Sequence, residues 1–299
     1  MQFNACGSVK EIFDVSANRF KVKGERVDSR DEFLRREKDG SWLNLLYYPE
    51  KFSSDSRNPI VFADKRFEDV SFKDTDFLRV SFVRCKFYRC LFASASFKDC
   101  QFVDCEFFET NTSKLRVSQC LFDPKNFDEN FDLIGDTNIA IDLYHALYKN
   151  ASEEHQPEHA IESLYRMKRA ESAHLASRRK RGKITQWQYL TGFFGHWIYD
   201  FVSGYGFRPS RVVRLLFLVI GFFSALNFFL DAYIVGSSNS LGVIDSIYFT
   251  VVTITTLGFG DITPLTPIGR LFVTFQALLG FVVMSLFLAA VASVALRGR

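Results

Sequence analysis

The stretch IVFADKRFEDVSFKDTDFLRVSFVRCKFYRCLFASASFKDCQFVDCEFF, residues 60–108, decides the architecture of the N-terminal half of this chain. Phe62, Phe67, Phe72, Phe77, Phe82, Phe87, Phe92, Phe97, Phe102 and Phe107 stand at a strict spacing of five, and the frame runs on more weakly through Thr112, Val117, Phe122 and Phe127. A helix repeats every 3.6 residues and a strand every 2, so neither alone yields this period. Two positions before the in-frame residue lies a second column of small or apolar side chains: Ile60, Val70, Thr75, Val80, Cys85, Cys90, Ala95, Cys100, Cys105, Thr110, Leu115 and Cys120, broken only by Lys65. The remaining positions are rich in Lys, Arg, Asp, Glu and Ser, as a solvated outer surface is. Such a period marks a solenoid, whose units bury one continuous core by stacking.

Over residues 59–122 the pattern resembles the pentapeptide-repeat family in its Phe-centred form. The resemblance implies a right-handed quadrilateral β-helix, with four pentapeptides per coil and the in-frame Phe stacked inside. Thirteen repeats from Phe62 to Phe122 then make a little over three coils, spaced like adjacent strands at about 4.8 Å. Twenty residues per coil stack Cys85 on Cys105 and Cys100 on Cys120. As small buried hydrophobes, these thiols need no metal to explain them. For function the repeat says little, since solenoids serve as scaffolds and binding surfaces.

Working outward, the whole chain has 299 residues, 37 Lys and Arg against 34 Asp and Glu, and a net charge of +3, too weak to imply a nucleic-acid partner. Residues 60–123 carry 10 basic and 10 acidic side chains, so the solenoid also lacks the acidic surface of a DNA mimic. Six cysteines, with no apolar h-region in Met1 to Glu11, do not describe a secreted disulfide scaffold. No nucleotide-binding, zinc-protease or glycine-fingerprint motif is present, so no enzyme is expected.

After the repeats, Ile139, Leu143, Tyr144, Leu147 and Tyr148 follow helical spacing, and Pro157 opens a second helix. That region ends in a basic run, Arg178, Arg179, Lys180, Arg181 and Lys183, followed by an aromatic stretch from Trp187 to Phe201. A basic cluster leading into an aromatic amphipathic segment predicts a helix at a membrane surface, facing anionic lipid. The alternative is a solvated helix face followed by a packed helix. Gly204-Tyr205-Gly206, just before Arg208-Pro209, reads as a flexible linker.

From Leu215 the composition changes. Leu215 to Val235 is long and apolar enough to cross the ~30 Å hydrocarbon core. Leu271 to Leu296 carries no charge and also spans. Between them Ile244 to Thr256 is apolar but too short, the length of a re-entrant segment. Arg208, Arg211 and Arg214 precede the first span and Arg297 and Arg299 follow the second, whereas Gly236 to Thr253 has no Lys or Arg. The positive-inside rule puts both termini in the cytoplasm of a multi-pass protein of the plasma (cell) membrane. With three residues after Leu296, cytoplasmic control is expected from the N-terminal domains.

Inside the short segment stands Thr253-Ile254-Thr255-Thr256-Leu257-Gly258-Phe259-Gly260-Asp261. A dehydrated cation needs rings of oxygen ligands, which backbone carbonyls supply when several chains face one axis. Carbonyls that all point inward demand alternating backbone conformations, which glycine adopts without a Cβ penalty. The string resembles the potassium-channel selectivity filter in its GFG form, and Arg211 to Leu296 resembles the two-transmembrane potassium channels. The resemblance implies a homotetramer that conducts K+ passively. It places K+ at Thr256, Leu257, Gly258 and Phe259, completes the filter with Gly260, and makes Thr253, Thr255 and Asp261 its support. It also puts Arg270 near the outer mouth and an inner-helix hinge at Gly280; close helix packing is the alternative for that glycine. Some members carry a Glu where this chain has Val252, so Asp261 lacks that partner.

The expected organisation is a cap region (1–58), a pentapeptide-repeat β-helix (59–127), a cytoplasmic helical region (128–183), an interfacial helix and linker (184–210) and a two-transmembrane pore domain (211–299). No cofactor is expected beyond K+ as the permeant ion. The repeat domain is left to assembly, to regulation, or to an unknown ligand or protein. A weakly selective cation channel and a membrane-anchored scaffold with a vestigial pore are the competing readings.

Overall fold

One residue in every five turns the chain. From Asp64 to Gln119, every fifth residue has φ between 50° and 59°. This is the left-handed region, which Asp and Asn enter more readily than most side chains. The computed structural model describes residues 22–54, 59–132, 135–230 and 241–297. The N-terminal segment Met1 to Glu11, the end of the first expected span at Val235, residues 236–240 and Arg299 lie outside the described residues. The chain divides into two compact units, Met1–Phe193 and Phe194–Arg299.

In the first unit these corners fold the repeats into a parallel β-solenoid. One face is the sheet β1 (Glu25–Val27), β2 (Ser41–Tyr47), β5 (Arg66–Ser71), β8 (Lys86–Tyr88) and β11 (Glu106–Phe108), in that order. A second holds β3 (Lys51–Ser53), β6 (Asp76–Leu78), β9 (Ser96–Lys98) and β12 (Arg116–Ser118). A third holds β4 (Ile60–Ala63), β7 (Val80–Val83), β10 (Gln101–Val103) and β13 (Leu121–Phe122). The fourth side is joined by single bridges, Ser71 to Leu91 and Leu91 to Asn111. Register follows the frame: Phe62 pairs with Phe82, Phe82 with Phe102, and Phe102 with Phe122.

The core is a set of aromatic columns. Along one, ring centroids lie 5.0 Å apart from Trp42 to Phe67, 4.9 Å to Phe87, 4.6 Å to Phe107 and 4.3 Å to Phe127. Phe82, Phe92 and Phe97 are buried in the same stack. Cys85, Cys90, Cys100, Cys105 and Cys120 are free and buried beside it. Burial pushes the Cys90 thiol up to about 12, and a hydrogen bond to the stacked partner, followed by burial, holds Cys105 and Cys120 well above the ordinary thiol value. Neutral thiols of this kind pack as hydrophobes. Among the described residues no group of three or more His, Cys, Asp or Glu is placed to hold a metal ion.

The stack begins before the phenylalanines do. Trp42 pairs with Phe67 and Phe52 with Phe77, offsets of 25 rather than 20, so the first coil carries one extra pentapeptide length. Trp42, Tyr47 and Phe52 already lie on the five-residue frame counted back from Phe62. Helix α1 (Arg30–Arg35) inserts Phe33 onto Trp42, their rings stacked 5.6 Å apart, and closes that end.

The other end is closed by two asparagines. Asn130 Oδ1 accepts from the Thr110 amide (2.7 Å) and its Nδ2 donates to the Thr110 carbonyl (3.1 Å). Asn150, on α2 (Thr137–Glu153), does the same for Cys120 at 3.0 and 2.8 Å. Each side-chain amide stands in for the peptide of the coil that would come next. Helix α3 (Pro157–Lys180), opened by proline at its first position, packs against α2. Helix α4 (Gln186–Ser203) follows and runs across the division between the units.

In the second unit α5 (Pro209–Phe229) and α7 (Pro267–Arg297) are long and apolar enough to cross a membrane, and α6 (Val243–Ile254) packs against both. Twelve residues make α6 about 18 Å long, short of a span. The expected flexible linker is instead a tight turn. Gly204 N donates to Asp200 O (2.8 Å), Tyr205 is buried against His196 and Tyr199, and Arg211 pairs with Asp200 at 2.6 Å. Three consecutive residues at positive φ make the corner compact rather than loose.

Two substitutions test this account of the solenoid. Phe92→Ala should cost roughly 3–5 kcal/mol, the range for truncating a core phenylalanine, read as a lower unfolding temperature of the solubilised chain. Asn150→Leu keeps the bulk but leaves the Cys120 amide without its acceptor and its carbonyl with only the longer bond from Gln156 Nε2 at 3.4 Å. At about 1–3 kcal/mol per buried group left unpaired, it should destabilise measurably while Asn150→Gln costs less; equal stability of Asn150→Leu and wild type would refute the cap.

Candidate functional site

The residues singled out by the sequence gather where α6 ends. Gly242 donates its amide to Asp245 Oδ2 (3.0 Å), which fixes the start of α6. Near its end Thr253 and Thr255 turn their hydroxyls back onto the carbonyls of Phe249 and Val251, both at 2.7 Å. The next amides also fold back: Leu257 N and Gly258 N donate to Val252 O at 3.0 and 3.3 Å. Val252 and Ile254 are buried, so this end of the helix is held by packing.

Beyond it the backbone alternates. Thr256, Gly258 and Gly260 have φ of 59°, 53° and 80°, with Leu257 and Phe259 between them outside the left-handed set. A Cβ at Gly258 or Gly260 would meet nothing within 4 Å, so what requires glycine there is the backbone conformation and not space. Among the described residues no hydrogen bond is accepted by the carbonyls of residues 256–260. Leu257 and Phe259 are 62% and 68% exposed on the single chain. The segment is therefore a run of unpaired carbonyls beside the C-terminal, negative end of a helix, an arrangement that attracts cations.

Asp261 has a neighbour that its sequence context did not reveal. The Tyr248 hydroxyl lies on the side of Asp261, and the Tyr248 ring lies parallel to Phe259 with centroids 6.5 Å apart. A residue of α6 thus stacks on the far part of the alternating segment. Arg270 Nε donates to the carbonyl of Pro264 (3.3 Å). Gly280 sits in the unbroken α7, where a Cβ would come within 2.9 Å of Ile254 Cα. That close approach is what demands glycine in this conformation.

The basic cluster lies elsewhere in the sequence. Arg178, Arg179 and Lys180 form the last turn of α3, where positive charge suits the helix dipole. Arg181 and Lys183 flank the turn at Gly182, and all five side chains are exposed. The Arg179 guanidinium lies 4.8 Å from the Tyr189 ring. On α4 one stripe, Tyr189, Gly192, His196, Asp200 and Ser203, is shielded. Trp187, Phe193, Phe194, Trp197 and Tyr199 are exposed, Trp187 by 75%.

Comparison with known proteins places this geometry. Residues 212–297 match the family described as "Ion channel". Over 71 residues the chain is 42% identical to an uncharacterised protein of Methanothermus fervidus, a match covering 24% of this chain and 10% of that one. It is 32% identical over 90 residues to two pore potassium channel c of Oryza sativa subsp. japonica (29% of this chain, 20% of the relative). It is 34% identical over 84 residues to two-pore potassium channel 5 of Arabidopsis thaliana (28% and 20%). Each match thus spans a quarter or less of the relative's own length. The C-terminal part of this membrane protein is accordingly an ion-channel domain, similar to that of plant two-pore potassium channels and carried behind a parallel β-solenoid of the pentapeptide-repeat kind.

Proposed function

We propose that the chain forms a homotetrameric, potassium-selective channel of the plasma membrane, with both termini cytoplasmic. One observation carries this reading: the alternation of left-handed residues at Thr256, Gly258 and Gly260, between two membrane-length helices and directly after a short third one. Alternation turns successive carbonyls to one side, and four such segments around an axis stack them into rings. The oxygens of Thr256, Leu257, Gly258 and Phe259 then replace the hydration shell of K+, the Thr256 hydroxyl adding to the inner ring. Irregular backbone at membrane depth is tolerated only where it faces protein, water or an ion. The exposed Leu257 and Phe259 side chains are covered by the remaining subunits, in a closed cyclic assembly. Potassium-channel relatives support the choice of ion.

In this reading Tyr248 and Asp261 hold the outer end of the filter, and Thr253 and Thr255 shape its inner end. Bending of α7 at Gly280, away from Ile254, is the opening movement. Conduction is passive and involves no cofactor. The solenoid serves assembly or regulation through a ligand or protein of its own. The basic cluster from Arg178 to Lys183 and the aromatic side chains of α4 lie at the cytoplasmic surface of the membrane, against anionic headgroups.

Gly258→Ala tests the filter. A Cβ at φ +53° disfavours the conformation even though space is free. The variant should insert and assemble but lose potassium current, or lose selectivity over sodium, in recordings with K+ on one side and Na+ on the other. Unchanged selectivity would defeat the assignment. The basic run is tested separately. Each charge near an anionic surface contributes about 1 kcal/mol of attraction, so opening should rise with anionic lipid content. Neutralising the five residues should flatten that response, and equal activity in neutral and anionic bilayers would remove the idea.

A further inference from the structure

Where α6 packs against the two long helices, three polar side chains are fully buried. Asn227 of α5, Thr250 of α6 and Gln276 of α7 are each 0% exposed. Asn227 Nδ2 donates to Thr250 Oγ1 at 2.8 Å and to Gln276 Oε1 at 3.2 Å. Thr250 Oγ1 donates in turn to the carbonyl of Ser246, one turn earlier in its own helix, at 2.7 Å. One amide therefore links all three helices. The other ends of the two amides, Asn227 Oδ1 and Gln276 Nε2, have no hydrogen-bond partner among the described residues.

Packing alone does not call for this trio. Apolar side chains of the same size would fill the space without leaving two polar atoms unpaired at membrane depth, where such groups are costly and mark function. What hydrogen bonds add is direction. They fix α6 both along its axis and in rotation, which a greasy contact between helices does not. The consequence reaches the filter in a few residues. Thr250 lies one turn before Ile254, and Ile254 is the residue against which Gly280 packs. Gln276 and Gly280 are themselves one turn apart on α7. The second long helix thus holds α6 at two successive levels, by a hydrogen bond through Asn227 and by backbone approach at Ile254. Thr255 and Thr256 follow directly.

We infer that Asn227, Thr250 and Gln276 are positioning residues for ion selectivity: together they set the depth and rotation of α6, and through it the spacing of the oxygens at residues 256–260. This rests on the filter reading above. It also makes a displacement of α7 felt at the filter as well as at the inner end of the pathway.

The experiment uses the full-length chain reconstituted in liposomes, with reversal potentials read under K+ on one side and Na+ on the other. The wild-type arm tests the filter reading: if wild type does not prefer K+, that reading fails by itself. If it does, Thr250→Val, nearly isosteric but without the hydroxyl, and Asn227→Leu should assemble yet lower the K+/Na+ permeability ratio by on the order of tenfold, a usual size for coupling between linked elements. Thr250→Ser, which keeps the hydroxyl, should restore it. The double variant Asn227→Leu/Gln276→Leu should be no worse than Asn227→Leu, which already removes the Asn227–Gln276 bond that Gln276→Leu breaks. A permeability ratio unchanged in Thr250→Val and Asn227→Leu would overturn the inference. So would failure of all of these variants to assemble, which would make the trio an element of folding alone.

Discussion

A buried peptide group without a hydrogen-bond partner costs about 1–3 kcal/mol, and both halves of this chain are organised around where those partners come from. A solenoid strand of three residues cannot pair with itself. Its amides and carbonyls are met only by the coils above and below, so Phe82 is aligned with both Phe62 and Phe102. At the last coil the supply ends, and Asn130 and Asn150 provide the missing peptide from their side chains. The segment at 256–260 solves the same problem differently. Its first amides return to Val252, but its carbonyls are met by no group of the described chain. What remains is a line of acceptors, and a line of acceptors is a cation's environment.

The phenylalanine frame made the solenoid legible because burial of one large ring per pentapeptide is a local rule repeated without interruption. Its beginning was harder to see for two physical reasons. Trp42 and Tyr47 do the work of Phe with different side chains, and the extra pentapeptide in the first coil shifts their partners from 20 to 25 residues away. Counting the frame backward from Phe62 would have reached Trp42, Tyr47 and Phe52 by position alone. The asparagine caps leave no such trace. Asn150 acts on a residue 30 positions earlier, and nothing near it in sequence distinguishes it from any other polar residue of a helix.

At the site the division is similar. Gly258 and Gly260 announced a backbone with positive φ because glycine is the residue for which that conformation is inexpensive, and the structure has both there. Thr256 adopts the same region without being glycine, which sequence alone does not disclose. Tyr248 lies inside an apolar segment, yet its ring stacks on Phe259 because the chain doubles back after α6. Asn227 and Gln276 are polar residues within apolar stretches, and nothing in the sequence pairs them. The meeting of Thr250 and Gln276 on Asn227 depends on how three helices cross, and no local pattern encodes that crossing.

The surfaces left uncovered finish the comparison. The solenoid hides its aromatic columns completely, and coil-to-coil pairs such as Arg84 with Asp64 and Lys86 with Glu106 line its outside. Exposed pairs of this kind add little stability, but they keep the outer faces wet. The second unit is the reverse. Ile244, Leu257, Phe259 and Leu271 are all more than 60% exposed on the single chain, far more apolar surface than water tolerates on a finished protein. A membrane accounts for the outward faces of α5 and α7. It does not account for Leu257 and Phe259, because unpaired carbonyls lie between them and lipid offers those carbonyls no donor. That part of the surface needs protein and a polar occupant together, and the proposed assembly, with additional copies of the same segment around an ion, would supply both.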